Sequence, residues 1–357
     1  MNLCLAPKIL RALEPTDIVY QTLYWSQVKS QLGWKPLAFD IDSSRPRGDV
    51  LVLIKSLGTN GSAAYVPQGP EFAPDPENYG TFLEDLSEAM APHLDPSVTF
   101  IRYDLPWESQ YAQELQGRDW HDYPESRLRE MRMNFGTRSW NLRKATVDMT
   151  VADTIVVDMR PSEEAIRARM KPKTRYNIGL ARRKGVKVFE ASTQMLPAFH
   201  ELYRQTAIRN GFSICEYQHF CALFAAHEKD PFNSEILFLL ATHQDDLLAG
   251  AIVAISGRRA VFLYGASSNT KRNLMGPYAV HWAAMQKAKS LGCTDYDMGA
   301  VSPSMDPEHS FYGLYRFKTG FGGRIMHRSG SWDFPLDEDA YSQFRNTETV
   351  MADALTH

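Results

Sequence analysis

Residues 236–255 run Ile236-Leu237-Phe238-Leu239-Leu240-Ala241-Thr242-His243-Gln244-Asp245-Asp246-Leu247-Leu248-Ala249-Gly250-Ala251-Ile252-Val253-Ala254-Ile255. Two apolar runs of strand length flank the polar turn Gln244-Asp245-Asp246. That pattern predicts a hairpin of buried strands. Downstream, Arg259–Ser267 reads as a third strand, a helix is expected from about Pro277 to Leu291, and Asp295–Met298 as a further strand. Upstream, Thr154–Met159 is strand-like. Pro161-Ser162-Glu163-Glu164 then looks like the first turn of a helix, with a serine cap and carboxylates at the positive end.

The first part of the chain repeats this vocabulary. Asp49–Leu57, Ala64–Pro70 and Val98–Asp104 read as strands, and residues 79–93 as a helix with Phe82, Leu86, Ala89 and Met90 on one face. Each half runs strands, helix, strand hairpin, helix, strand. The order suits two copies of an acetyltransferase-like α/β unit. The first half is expected to end near residue 150. The last ~30 residues lack a hydrophobic pattern of their own and are expected to pack back on it. The expected division is 1–150 plus about 323–357, and 151–322.

With 357 residues the chain has room for two cores. Its formal net charge of -3 excludes polyanion binding by bulk charge, so any nucleic-acid contact needs a local patch. No stable DNA binding is expected. The four cysteines, Cys4, Cys215, Cys221 and Cys293, form no Cys-x-x-Cys pair, and no His cluster has zinc spacing. Sparse thiols favour a reducing compartment. The first residues, broken by Pro7, resemble no signal peptide, and the apolar runs are far shorter than the ~20 residues of a membrane span. The expectation is a cytoplasmic protein with peripheral contact at the inner face of the cell membrane.

Four segments carry candidate chemistry. From Arg167 to Lys187 there are nine Lys or Arg and no acid. Lys173, Arg175, Arg182, Arg183 and Lys184 are candidate phosphate contacts, and Arg175 and Asn177 beside Tyr176 favour that reading over a solvated helix face. In Arg316-Phe317-Lys318-Thr319-Gly320-Phe321-Gly322-Gly323, three glycines let backbone approach a ligand or another strand. Aromatic neighbours give Lys318 a partly apolar wall from which it can stabilise developing negative charge. Taken by itself, the segment reads first as a strand and bulge with an exposed lysine. Asp104 at a strand end is a candidate base or orienter of an amine, or half of a buried Arg102–Asp104 pair. Asp297 has the same two readings, with structure favoured. Trp25 and Lys29 share a helix face, and Lys29 with Trp34 suits a nucleotide diphosphate; by themselves the residues favour an amphipathic helix with core Trp residues. There is no Walker-type loop and no Ser-His-Asp pattern. An acetyl-CoA loop is also lacking, since Arg272-Asn273-Leu274-Met275-Gly276 has one residue too many before its glycine.

Together these segments resemble the FemABX family of aminoacyl-tRNA-dependent peptidoglycan transferases. The resemblance rests on Gln21–Trp34, Tyr65-Val66-Pro67-Gln68-Gly69-Pro70, Lys171–Val186, Tyr264–Ser268 with Met275-Gly276-Pro277-Tyr278, Tyr296-Asp297-Met298-Gly299, and Phe317-Lys318-x-Gly-Phe-Gly-Gly, in family order. No long charged heptad segment interrupts the second half, which is similar to the FemX type. The resemblance implies two acetyltransferase-like (GNAT-type) domains with a cleft between them. It implies transfer of an amino acid such as Gly, Ala or Ser from aminoacyl-tRNA to the side-chain amine of the third stem-peptide residue of a peptidoglycan precursor, either lipid II or UDP-MurNAc-pentapeptide. No cofactor or metal is implied.

Carried over residue by residue, Lys29 and Trp34 fall where the family contacts the precursor's nucleotide or diphosphate. Tyr264 falls on a strand lining the peptide channel, and Asp104 on a strand-end aspartate near the amine. Phe317 and Lys318 match the pair implicated at the tRNA acceptor end and the reacting carbonyl. Members that bind the UDP-linked precursor carry an Arg and a Tyr four residues apart after the Asn/His-Gly segment. Here Cys215 and His219 stand there, with His219 as the candidate substrate contact, so the acceptor's linkage stays open. An acyl-CoA-dependent N-acyltransferase of the same fold and a non-catalytic tRNA- or precursor-binding protein are the rival readings.

Overall fold

The computed structural model describes residues 3–42, 48–115, 120, 122–229 and 235–356. The chain divides into unit 1, Met1–Ala152 with His327–His357, and unit 2, Asp153–Met326.

Unit 1 opens with β1 (Cys4–Lys8), α1 (Leu23–Gln31), β2 (Lys35–Asp42), β3 (Gly48–Ser56), β4 (Ser62–Val66), α2 (Tyr79–Met90) and β5 (Val98–Glu108). Thr22 starts α1 by accepting from the Trp25 amide at 3.2 Å. β1 to β4 pair antiparallel in sequence, and β5 pairs parallel to β4 after the α2 crossover. The helical spacing in α2 buries Phe82, Leu86 and Met90 against Val50, Val52, Ile101 and Tyr103. Short elements follow: α3 (Gln110–Glu114), α4 (Ser126–Met133) and β6 (Arg143–Lys144).

Unit 2 contains β7 (Asp153–Asp158), α5 (Glu163–Arg169), α6 (Pro172–Arg183), β8 (Lys187–Glu190), α7 (Leu196–Asn210), α8 (Tyr217–Lys229), β9 (Glu235–His243), β10 (Asp246–Ser256), β11 (Arg259–Ser267), α9 (Gly276–Ser290), β12 (Asp295–Ala300) and α10 (Tyr312–Lys318). β9, β10 and β11 are antiparallel neighbours, and β12 pairs parallel to β11 across α9. The apolar runs are continuous because both sheet faces are covered. Leu237, Leu239, Ala251 and Val253 pack with Val280, Ala284 and Met285 of α9, while Phe238 meets Phe199 and Phe224 of α7 and α8. Ser162 caps α5 by accepting from Ala165 at 3.3 Å, as its position predicts.

β13 (Arg324–Pro335) begins in unit 2 and enters unit 1 at His327. There it pairs antiparallel with β5, placing Ser331 opposite Asp104. α11 (Glu338–Thr356) follows, and its Tyr341 rests edge-on against Phe100 of β5 at 5.3 Å.

One local expectation fails. Phe317 and Lys318 end α10 and are followed by a 3-10 turn over Thr319–Phe321, so they lie on no strand or bulge. The 3-10 turn stops at Gly322, whose φ of +82° suits glycine. A Cβ on Gly320 would fall 2.2 Å from Thr174 Oγ1, and one on Gly322 would fall 2.7 Å from the Arg169 carbonyl oxygen. These glycines let the turn after α10 seat against α6 and the end of α5.

Candidate functional site

Lys318 is 5 % exposed. Its Nζ donates to the Ala300 carbonyl at 2.6 Å and lies 5.8 Å from the Phe262 ring centre. Burial lowers its ammonium to about 8, while the Asp297 carboxylate pulls the other way. Phe317 packs edge-on against Tyr278 at 4.8 Å and Phe321 at 5.4 Å. The pocket thus holds a cation in an apolar wall, a strong electrostatic position for a carbonyl oxygen gaining charge. Asp297 is buried and accepts from the Gly299 amide at 2.8 Å, which orders the end of β12.

Tyr264 and His219 come together in unit 2. The phenol oxygen and Nε2 are 2.7 Å apart, with Cys215 Sγ at 4.0 Å from the same oxygen. Tyr203 and Phe220 stand edge-on to Tyr264 at 6.0 and 5.0 Å. Tyr264 and His219 are half-buried, so the pair can offer polar atoms from an aromatic wall.

In unit 1, Lys29 Nζ lies 5.0 Å from the ring centres of both Trp25 and Trp34. Trp25 is core, as the amphipathic-helix reading has it, and Trp34 is half-buried. Trp34 meets Tyr65 at 6.0 Å, and the nearby Asp104 carboxylate adds to the burial that raises the Tyr65 phenol. Asp104 is 2 % exposed. Its Oδ1 accepts from Ser331 at 2.8 Å, and its Oδ2 accepts a short bond from Thr150. Burial pushes its carboxyl up to about 6 against the pull of those two hydroxyls. The expected Arg102–Asp104 pair does not form. Arg102 bonds Asp333 at 2.6 and 2.8 Å and Glu348 at 2.6 and 2.9 Å instead.

The basic stretch is α6 and its end. Lys173, Arg182, Arg183 and Lys184 lie on this segment, and Arg183 stands over the exposed Tyr176 ring at 5.6 Å. Arg175 differs. It is half-buried and donates to the carbonyls of Met170 and, at 3.3 Å, Ala168, so it closes the end of α5. Asn177 is buried and offers nothing to a phosphate, because the helix turns it inward with Thr174 and Ile178.

Sequence reasoning missed Tyr65, which meets Trp34, Lys55, whose Nζ lies 5.2 Å from the Trp34 ring, and His281 beneath Phe317. No spacing signal marks them, because their partners are remote in sequence. An apolar groove between α3 and α4, lined by Tyr111, Leu128, Met131 and Phe135, contains none of the candidate residues. Among the described residues no group of three His, Cys, Asp or Glu is placed to hold a metal, and no helix is long and apolar enough to cross a membrane.

A family model described as the FemAB family matches residues 13–244 and 227–348. A lipid II:glycine glycyltransferase of Staphylococcus saprophyticus is 32 % identical over 121 residues, 34 % of this chain and 29 % of that protein. The enzyme of the same description from Staphylococcus aureus is 32 % identical over 94 residues, 26 % of this chain and 22 % of the relative. The chain therefore matches under a third of the length of these curated relatives. Among solved structures, a crystal structure of FemX superposes with a TM-score of 0.70 at 17 % identity, covering 94 % of this chain and 96 % of that one. A tandem GNAT protein from the clavulanic acid pathway gives 0.51 at 9 % identity, covering 93 % and 98 %. Both likenesses concern the fold, which is mixed α/β of the tandem acetyltransferase type.

Proposed function

The chain belongs to the FemAB family, and from that premise we propose that it transfers an amino acid from aminoacyl-tRNA to the side-chain amine of the third stem-peptide residue of a peptidoglycan precursor. The observation that carries the reading is Lys318, an ammonium buried at the end of α10 and fixed on the Ala300 carbonyl. The relatives' description as lipid II:glycine glycyltransferases supports a lipid-linked acceptor and glycine as donated residue.

The donor ester is already activated, so the step needs only position and charge. The acceptor nitrogen, neutral when it attacks, bonds to the ester carbonyl carbon, and the oxygen gains negative charge. Lys318 stabilises that oxyanion and then the departing ribose oxygen. The C–N bond forms, the C–O bond breaks, and the proton shed by the amine ends on the ribose hydroxyl. A lysine titrating near 8 exchanges protons at little cost near neutral pH.

His219 and Tyr264 are assigned to the stem peptide, Lys29 and Trp34 to the acceptor's nucleotide or diphosphate, and Phe317 to the donor's acceptor end. Asp104 is assigned to orienting the amine; with its oxygens engaged by Ser331 and Thr150, it acts through these hydroxyls. Lys173, Arg182, Arg183 and Lys184 are assigned to tRNA phosphates, with Arg175 holding the helix that presents them.

The test is to incubate the protein with a mixed pool of charged tRNAs and either UDP-linked or lipid-linked pentapeptide, then weigh the product. A gain of one aminoacyl residue supports the reading and names donor and acceptor. A product formed only with acyl-CoA, or tRNA binding without turnover, overturns it.

A further inference from the structure

One buried titratable side chain has no part in the chemistry above. His281 of α9 is 4 % exposed. Its Nδ1 lies 3.2 Å from the hydroxyl of Tyr296, itself fully buried on β12. Its ring centre is 4.5 Å from Phe262, 5.4 Å from Phe317 and 5.4 Å from Phe321. Phe262 is the ring that faces the Lys318 ammonium, and Phe317 is the lysine's neighbour in the chain. His281 is therefore the common support beneath two walls of the lysine pocket.

We propose that His281 is a positioning residue for Lys318: tied to Tyr296, it fixes the rings of Phe262 and Phe317 and so keeps water from the ammonium. The inference rests on the reading of Lys318 as the charge stabiliser, but not on which acceptor is used. A phenylalanine would fill the same space and leave the Tyr296 hydroxyl without its partner. A histidine fills it and sets the ring plane by a hydrogen bond. It must also stay neutral, since a second cation beside Lys318 would compete with it. Burial and the Lys318 charge hold its proton affinity down to about 3, so the ring is uncharged near neutral pH.

The groups facing this pocket are few. Tyr278 and His281 approach from α9, Tyr296 and Asp297 from β12, and Tyr315 and Arg316 belong to α10 itself; Lys171 reaches Thr319 just beyond it. Asp297 acts on Lys318 with opposite sign, favouring its charged form.

The experiment follows Lys318 directly in the full chain. The amines are reductively methylated with a carbon-13 label, and the Lys318 signal, assigned by its loss in Lys318→Met, is titrated by NMR. The pH profile of aminoacyl transfer is measured beside it. His281→Ala should admit water and move the Lys318 titration upward by more than about one pH unit, since it relieves the desolvation that lowers it. Tyr296→Phe keeps the core volume but releases the ring, and should move it the same way by less. His281→Gln, which can still accept from Tyr296, should recover part of the shift. If folded His281→Ala and Tyr296→Phe both titrate like the wild type and are merely less heat-stable, the proposal is overturned. Should transfer itself be undetectable, the NMR titration still decides the positioning role, so the two failures are separable.

Discussion

The Tyr264 hydroxyl and His219 Nε2 are 2.7 Å apart although the residues lie 45 positions apart in the chain. β11 supplies one and α8 the other, so the contact exists only in the folded unit 2. Because they share one bond, their effects on acceptor binding should not add. Tyr264→Phe and His219→Ala are each expected to raise the acceptor KM by about tenfold, and the double variant to exceed either by little, with a coupling of about 1 kcal/mol. A double-mutant cycle on acceptor KM measures this. Simple additivity would separate the two side chains functionally.

Lys318→Met should lower transfer by about 10²–10³-fold and at the same time stabilise the protein by about 1–3 kcal/mol, since a buried cation gives way to an apolar chain. The sign with pH follows from proton counting. Burial lowers the folded titration to about 8, whereas the unfolded lysine holds its proton to about 10.4. Across that window the unfolded chain binds more protons, so wild type gains stability relative to Lys318→Met as pH rises. Denaturant melts at about pH 7, 8 and 9 check it, and wild-type transfer should fall as Lys318 deprotonates above about 8.

Asp104 gives the opposite dependence. Its folded titration sits near 6 and its unfolded one at about 3.9. Between those values the folded state binds more protons. Wild type should therefore lose stability relative to Asp104→Asn as pH rises through that range, and regain it on acidification. Paired urea titrations from about pH 4 to 7 should show this difference changing with pH; a constant difference would mean that the carboxyl titrates alike folded and unfolded.

Removal of Lys173, Arg182, Arg183 or Lys184 should weaken tRNA binding and reduce the slope of log affinity against log salt by roughly 0.7–0.9 for each phosphate no longer neutralised. Arg175→Ala should behave otherwise. Its guanidinium is spent on the Ala168 and Met170 carbonyls, so the loss should appear as lower thermal stability with the salt slope unchanged. Filter binding across a salt series distinguishes the two classes.

Gly322→Ala combines a φ of +82° with a Cβ placed 2.7 Å from the Arg169 carbonyl oxygen. A destabilisation of about 2–3 kcal/mol is expected, read from a chemical melt. Gly313→Ala, where nothing lies within 4 Å of the added atom, is the matched control.

Much of the architecture is legible in the sequence because strand-length apolar runs and polar turns are local signals. The hairpin of β9 and β10, the strand β11 and the helix α9 lie within a few residues of where periodicity puts them. The Lys318 segment is locally misleading. Three glycines in four positions suggest a turn between strands, yet Gly320 and Gly322 let the turn after α10 approach Thr174 and Arg169, and Gly323 lets the start of β13 approach Ile155 and Val156. That reason lies far upstream in the chain, where no local pattern can show it. Arg102 misleads for the same cause. Its carboxylates come from β13 and α11, at separations of 231 and 246 residues. Asn177 and Arg175 look like surface polar residues in the sequence because composition does not say which way a helix faces.

The junction of α6 with the turn after α10 is made by backbone as well as side chain. The Lys171 amide donates to the Gly320 carbonyl at 2.8 Å, and Lys171 Nζ reaches Thr319 Oγ1 at 3.0 Å. The start of α6 and the turn that ends α10 therefore share one joint, so a substitution that loosens Lys171 should be felt at Thr319 and Gly320 as well.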